Sequence, residues 1–230
     1  MDVRLMDVHS FSRGAQRGSQ ETVAGRSGYV WISDGANEAF EIKRTCRAPA
    51  SRLREISTWL SDAGYLRFSQ EESAAFEARV IRAIEYKRVT PGADPLFEFT
   101  VTFSCQPYPL VWPAADPIEI TASGAALPNP GTAPALPRVE VVGHGDFSLT
   151  IGMQTLFFTG VERGIIVDSE IGDALTADGM LLANECIDGE LFRIQPGPNY
   201  VSWQLGGADG ELDAPGVVEK VIITPRWRWL

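Results

Sequence analysis

The amino-acid sequence predicts a mainly β protein built from two parts, and three observations carry that prediction. Twenty-two glycines and 15 prolines in 230 residues punctuate the chain too often for long helices. The run Phe97-Glu98-Phe99-Thr100-Val101-Thr102-Phe103 alternates apolar and polar residues with the period of two of a half-buried strand. From Arg138 onward, about seven short β-type runs follow one another with turn residues between many of them, the pattern of a β-sandwich.

The first half reads as strands around one helix. Ser10 to Ser27 is polar and aperiodic and reads as a long loop, closed by the turn Ala24-Gly25-Arg26-Ser27-Gly28. Tyr29-Val30-Trp31-Ile32 gives a short strand, Asp34-Gly35 a turn, and Phe40, Ile42 and Arg44 the alternation of a second strand. Between Pro49 and Gly64 the residues Leu53, Ile56, Trp59, Leu60 and Ala63 recur every three or four positions. This spacing predicts a helix over about 49–63 lying on a sheet, with Trp59 as its largest anchor. Tyr65 to Phe68 follows as a strand and Glu71-Glu72 as an acidic turn. Ala78 to Val89 suits a strand, and its helix formers between Arg79 and Arg88 suit a helix as well. With the turn Thr90 to Pro95 and the Phe97 run it predicts a hairpin over about 78–103.

Prolines crowd the middle of the chain, at 107, 109, 113 and 117 and again at 128, 130, 134 and 137. Proline cannot donate to a ladder, so this density argues against central strands. The expected division is therefore 1–123 and 124–230, with a Pro-rich linker over about 124–137. The second part has strands at 138–142, 147–151, 154–158, 164–168, 191–194, 199–205 and 217–223, with Gly143-His144-Gly145-Asp146 among its turns.

The formal net charge of −10 disfavours sequence-independent binding to a phosphate backbone. Arg13, Arg17 and Arg26 are open to two readings, a local basic patch or a basic loop. Cys46, Cys105 and Cys186 are odd in number, no C-x-x-C occurs, and the only histidines are His9 and His144. Buried free thiols in a reducing compartment are the expectation, with no zinc site and no cofactor. No apolar run reaches the roughly 18 residues of a membrane span, and residues 1–7 lack a secretory core. A soluble product of the cytoplasm without membrane insertion is therefore expected.

Motifs for catalysis are absent from the sequence. Asp168, Glu170, Asp173 and Asp178 do not have the spacing of a helix-loop-helix calcium site and read as a solvated acidic loop. Glu38, Glu41, Glu71 and Glu72 could pair as carboxylates, but any acidic chain of this size offers such pairs. Gly25-Arg26-Ser27-Gly28 is too short to cradle phosphate and lacks the following lysine, and no G-x-S-x-G occurs. The closing Pro225-Arg226-Trp227-Arg228-Trp229-Leu230 alternates Arg and Trp. Trp227 and Trp229 fit either an exposed carbohydrate or partner contact or one face of a terminal strand capping the second sandwich.

Several stretches, in order, resemble the distal tail protein family of long-tailed phages. Ala24-Gly25-Arg26-Ser27-Gly28-Tyr29 is similar to that family's Pro-Gly-Arg-Asp-Gly turn, with Ala24 and Ser27 as departures. Thr58-Trp59-Leu60 with Gly64 and Leu66 resembles its helix end, and Phe99 to Tyr108 its strand ending in Pro-Tyr. Asn129 to Pro137 resembles its linker, Ile194 to Trp203 its penultimate turn and strand, and Pro225 to Arg228 its end. The apolar first strand of that family is poorly matched at Met1 to Val8.

The resemblance implies an N-terminal β-sandwich with one helix and a projecting β-hairpin, and a C-terminal galectin-like β-sandwich. It implies a structural, non-enzymatic virion protein of the tail tip, made in the host bacterial cytoplasm. Six copies would form a head-to-tail ring between the tail tube protein and a tail-associated fibre or lysin protein, with a receptor-binding protein as a further partner. In this sequence the hairpin around 84–99 would reach the neighbouring copy through Tyr86, Val89, Leu96 and Phe97. The alternative reading is a carbohydrate-binding β-sandwich module of a cell-surface or cell-wall-directed protein. A hydrolase using paired acids would need a deep cleft that no motif specifies.

Overall fold

The structure is a computed structural model that describes residues 4–5, 14–69, 71–206 and 216–230. His9, Arg13 and most of Met1 to Val8 lie outside these residues. The chain divides into two compact units, Met1–Pro109 and Leu110–Leu230.

In the first unit the strands are β1 (Arg4–Leu5), β2 (Gln16–Glu21), β3 (Val30–Asn37) and β4 (Phe40–Pro49). A 3-10 turn at Ala50–Arg52 leads into α1 (Leu53–Trp59), then β5 (Gly64–Phe68), β6 (Glu71–Val80), β7 (Tyr86–Arg88) and β8 (Leu96–Cys105). The main sheet has the order β1-β4-β8-β6-β5, with β7 also on β8. β2 and β3 form a separate two-stranded ribbon.

β4 shows why the sheet forms where it does. Its exposed and buried residues alternate, with Phe40, Ile42, Arg44, Cys46 and Ala48 inward. Directly across the ladder stand Cys105, Phe103, Val101, Phe99 and Phe97 of β8, so both strands present one apolar face to the same side. Ile56 and Leu60 of the helical segment pack on this face with Cys46, Phe99 and Val101. Phe76 meets Phe40 edge-on at 5.8 Å, and the Arg44 guanidinium lies 5.2 Å from the Phe68 ring centre.

Trp59 is not the anchor that the helical spacing suggests. It is 59% exposed, whereas Ile56 is 2% and Leu60 7% exposed. With 100° per residue, Leu53, Ile56 and Leu60 share one narrow stripe, and Trp59 falls roughly a quarter-turn off it. The helix is also shorter than 49–63. Hydroxyls of Thr58 and Ser61 donate to the Arg54 and Thr58 carbonyls at its end, offering local alternatives to further helical pairing. The segment 78–89 is neither one strand nor a helix, because β6 ends at Val80 and β7 begins at Tyr86. Glu71-Glu72 opens β6 instead of forming a turn.

The second unit holds β9 (Leu110–Val111), β10 (Ile118–Ile120), β11 (Ala125–Ala126), β12 (Arg138–Ile151) and β13 (Gln154–Val161). It continues with β14 (Ile165–Asp168), β15 (Asp173–Thr176), β16 (Ile187–Asp188), β17 (Tyr200–Leu205) and β18 (Val217–Thr224). β12 is shared by two ladders. Its first half lies between β14 and β18, and its second half between β13 and β17. Gly143-His144-Gly145 sits at the passage inside this strand, where a hairpin turn is expected from sequence. Glycine is required there, because a Cβ at Gly143 would lie 2.1 Å from the Val217 carbonyl oxygen, and Gly145 has φ 77°. Val139, Val141, Phe147, Leu149 and Ile151 of β12 join Leu156, Phe158, Val221 and Ile223 in one core. The rings of Phe147 and Phe158 stack at 4.7 Å.

The division at Pro109/Leu110 differs from the expected Ser123-Gly124 because β10 pairs with β18 and so belongs to the second unit. The stretch 128–137 is likewise not an exposed linker. Leu127, Asn129, Gly131, Ala133, Ala135 and Pro137 are buried, while Pro128, Pro130 and Pro134 face outward. The backbone N–H groups of Asn129, Ala133 and Ala135 donate to the carbonyls of Gly197, Arg228 and Ile194. Three of the four prolines occupy outward positions that donate no N–H, so they are compatible with an extended packed segment. Leu191 to Ile194 forms only a bridge from Ile194 to Ala135, yet Phe192 and Ile194 are fully buried.

Candidate functional site

The most distinctive surface is the β2–β3 ribbon, an arm in which none of the residues from Gly14 to Ala39 is buried. Its register pairs Ser19 with Ile32, Gln20 with Trp31 and Glu21 with Val30. Near the root, Arg17 Nε donates to Asp34 Oδ2 at 2.8 Å, and the Ser33 hydroxyl donates to the Arg17 carbonyl at 2.6 Å. The Asp34 carboxyl is held below its ordinary pKa, first by the Arg17 hydrogen bond and then by the Ala36 N–H. Gly18 lies beneath the Trp31 indole, where a Cβ would come within 2.7 Å of the ring. The tip turns through Gly25 and Gly28, with φ of 78° and 86°. At the base, Glu38 N–H donates to the Ala15 carbonyl and Asn37 Nδ2 to the Tyr108 hydroxyl.

This arm exposes Val23 (46%), Tyr29 (57%), Trp31 (43%) and Ile32 (50%). A two-stranded ribbon is at best marginally stable alone in water, so large apolar side chains on it mark a surface that gains by being covered. The run Tyr29 to Ile32 and the glycine turn before it were visible in sequence. β2 was not, because a strand exposed on both faces has no hydrophobic period, and Ser10 to Ser27 therefore read as loop.

The hairpin foreseen at 78–103 lies within the main sheet. Arg88, Lys87 and Tyr86 pair with Phe97, Glu98 and Phe99, and those β8 residues pair on their other side with Ala48, Arg47 and Cys46. Its turn is tied back to its own unit, because Ser51 N–H and hydroxyl donate to the Asp94 carboxylate at 2.9 and 2.7 Å. Tyr86 stacks at a tilt on Phe99 and shares a 2.7 Å hydrogen bond with Ser57. Val89 and Leu96 remain surface residues at 42% and 38% exposure, and Phe97 is half-buried. The turn at 90–95 is thus tied to its own unit, whereas the ribbon at 16–37 pairs with no strand of the main sheet.

At the other end of the chain, Trp227 is buried in the second core and Trp229 is half-buried. The two arginines beside Trp227 meet the acidic loop: Arg226 forks onto Asp168, and Arg228 pairs with Glu170. Asp168 is therefore a buried ion-pair partner (4% exposed), a correction to the solvated acidic loop. Trp227 cannot belong to an exposed platform.

Cys46 and Cys105 are buried free thiols and Cys186 is half-buried. Burial pushes the Cys105 thiol up to about 11, against the opposing influence of Arg44. Among the described residues no group of three or more His, Cys, Asp and Glu side chains could hold a metal ion. No helix among them is long and apolar enough to cross a membrane.

No protein-family model matches the chain, and no curated protein matches it. Its fold is similar to that of a solved structure, the Dit (gp 19.1) protein of phage SPP1, described as a paradigm of the hub adsorption apparatus in phages infecting Gram-positive hosts. The likeness spans 100% of this chain and 92% of that one, with a TM-score of 0.63 at 17% sequence identity. This similarity bears on the fold, which is mainly β in both units.

Proposed function

We propose that the protein is a structural, non-enzymatic subunit of a phage tail tip, a distal tail protein that assembles as a hexameric ring. The single observation that carries this reading is the likeness to the hub protein over the whole chain, both units included. In this reading the first unit builds the ring and the second, a galectin-like sandwich, lies outside it. The ring joins the tail tube protein to a tail-associated fibre or lysin protein and, through these, to a receptor-binding protein. The exposed arm supports the assembly role, because a head-to-tail contact joins an exposed patch of one copy to a different patch of the next. The carbohydrate-module alternative loses its best residue with the burial of Trp227.

Negative-stain imaging and light scattering of the purified full chain, alone and with the tail tube protein, test this. Rings with a central hole and a mass of about six subunits are expected. A protein that stays monomeric at high concentration and also fails to ring on the tube protein would overturn the proposal.

A further inference from the structure

The second unit carries an exposed apolar tip that its own packing leaves uncovered. Between β15 and β16 the consecutive residues Met180, Leu181 and Leu182 are 79%, 66% and 60% exposed. Three large apolar side chains in a row in solvent mark a surface that gains by being covered. The tip is nonetheless built to hold this shape. The Thr176 hydroxyl donates to Asp178 Oδ1 at 2.6 Å, and the Met180 N–H donates to the same oxygen at 3.0 Å. The Thr176 N–H donates to the Leu181 carbonyl at 2.9 Å, which closes the turn. Leu181 and Leu182 line a cleft of about 520 Å³ whose apolar floor is Val161, Ile165 and Ala183, all buried. Glu162 and Arg163 of the β13–β14 turn line the same cleft, as do Glu185 and Cys186 of the 3-10 turn at Asn184–Cys186.

We propose that this cleft binds a basic peptide segment of a protein partner and seats one of its apolar side chains beside Leu181 and Leu182. The inference does not depend on the ring reading. Charge selects the occupant. The lining holds Glu162, Asp178 and Glu185 against Arg163 alone. Asp178 is committed to the tip, whereas Glu162 and Glu185 make no hydrogen bond or ion pair with a described residue. Burial raises the Cys186 thiol pKa, and the charges of Glu185 and Glu162 raise it further, so both carboxylates bear on one point of the cleft. A lysine or arginine of the partner meets them there, next to its apolar anchor. The acidic rim disfavours an anionic lipid surface, and no aromatic residue lines the cleft for a sugar ring to stack on. The bonds that fix the tip before binding lower the ordering cost of the contact.

Fluorescence anisotropy on the full chain tests this with three fluorescein-labelled peptides, Lys-Leu-Lys-Leu-Lys, Lys-Ser-Lys-Ser-Lys and Glu-Leu-Glu-Leu-Glu. Only the first should bind saturably, and more weakly as salt rises. It should also slow maleimide labelling of Cys186, with which the buried Cys46 and Cys105 do not compete. Glu162→Lys together with Glu185→Lys, or Leu182→Ser alone, should weaken binding by about tenfold. Met153→Ser, which removes another exposed apolar side chain at the β12–β13 turn, should not. All the changed residues are exposed, so the fold survives, and circular dichroism checks that. Absence of binding, equal binding of the three peptides, or binding that survives the charge reversal overturns the proposal. Self-association of the chain that the same reversal abolishes gives the cleft to a second copy and overturns it as well.

Discussion

Arg226 holds Asp168 in a two-pronged ion pair, Nη1 to Oδ1 at 2.6 Å and Nη2 to Oδ2 at 2.9 Å, from a backbone in the left-handed region at φ 51°. A non-glycine residue pays a conformational penalty there of about 1 kcal/mol, so the fork must hold it in place. The carboxylate also accepts the N–H groups of Glu170 and Ile171. Burial by itself raises the Asp168 pKa, but the Arg226 hydrogen bond and charge, with these two N–H groups, bring it below the ordinary value. Asp168→Asn should therefore destabilise the second unit by about 3 kcal/mol, measured by urea unfolding at pH 7.

The sign of the pH dependence follows from that depressed pKa. The ion pair contributes fully above the unfolded carboxyl value of about 4 and loses its contribution as pH falls through the lower folded value. The stability gap between wild type and Asp168→Asn should accordingly close on acidification below about pH 4. A gap that stays constant from pH 7 to pH 3 would mean that the pair contributes nothing through its charge.

The same pair shows what was and was not legible in the sequence. The acidic loop and the Arg-Trp ending each stood out as unusual, and nothing local could say that they meet across 58 residues. Strands with one buried face, such as β4 and β8, were readable from their alternation. The exposed ribbon and the buried Pro-rich segment were not. A strand exposed on both faces shows no hydrophobic period, and proline spacing resembles a linker unless the inward positions are known. The candidate site was half visible, as the apolar run at Tyr29 to Ile32 without its polar partner strand.

Helix packing gives a contrast between neighbouring residues. Ile56→Ala should cost the first unit roughly 2–4 kcal/mol, because Ile56 is buried against Cys46, Phe99 and Val101. Trp59→Ala should cost under about 1 kcal/mol in the monomer, since the side chain is mostly in solvent. Thermal melts of the two variants at low concentration check the order. A larger loss for Trp59 would restore it as the anchor.

The domain boundary is testable by truncation. A fragment starting at Leu110 keeps β10, whose Ile118, Glu119 and Ile120 pair with Ile223, Ile222 and Val221. It should melt cooperatively with β-type circular dichroism. A fragment starting at Ala125 loses that strand and exposes Val221 and Ile223, both fully buried, so it should melt well below the longer one or aggregate.

The last prediction separates the two hairpins of the first unit. Deleting Thr90 to Pro95 removes Asp94, which the Ser51 N–H and hydroxyl both address, and the Pro95 carbonyl that accepts from Ala50. The same deletion shortens the approach to β8, whose Leu96 and Phe97 pair with Pro49 and Ala48 beside the helix. That change should lower the melting temperature of the isolated subunit. Replacing Thr22 to Tyr29 at the arm tip by a two-residue Asn-Gly turn touches no buried residue and should leave the melt within a degree or two. Its effect belongs to assembly: light scattering should show a folded subunit with weakened self-association. If the arm variant melts early and the 90–95 deletion does not, the roles of the two hairpins are reversed and the contact returns to Val89 and Leu96.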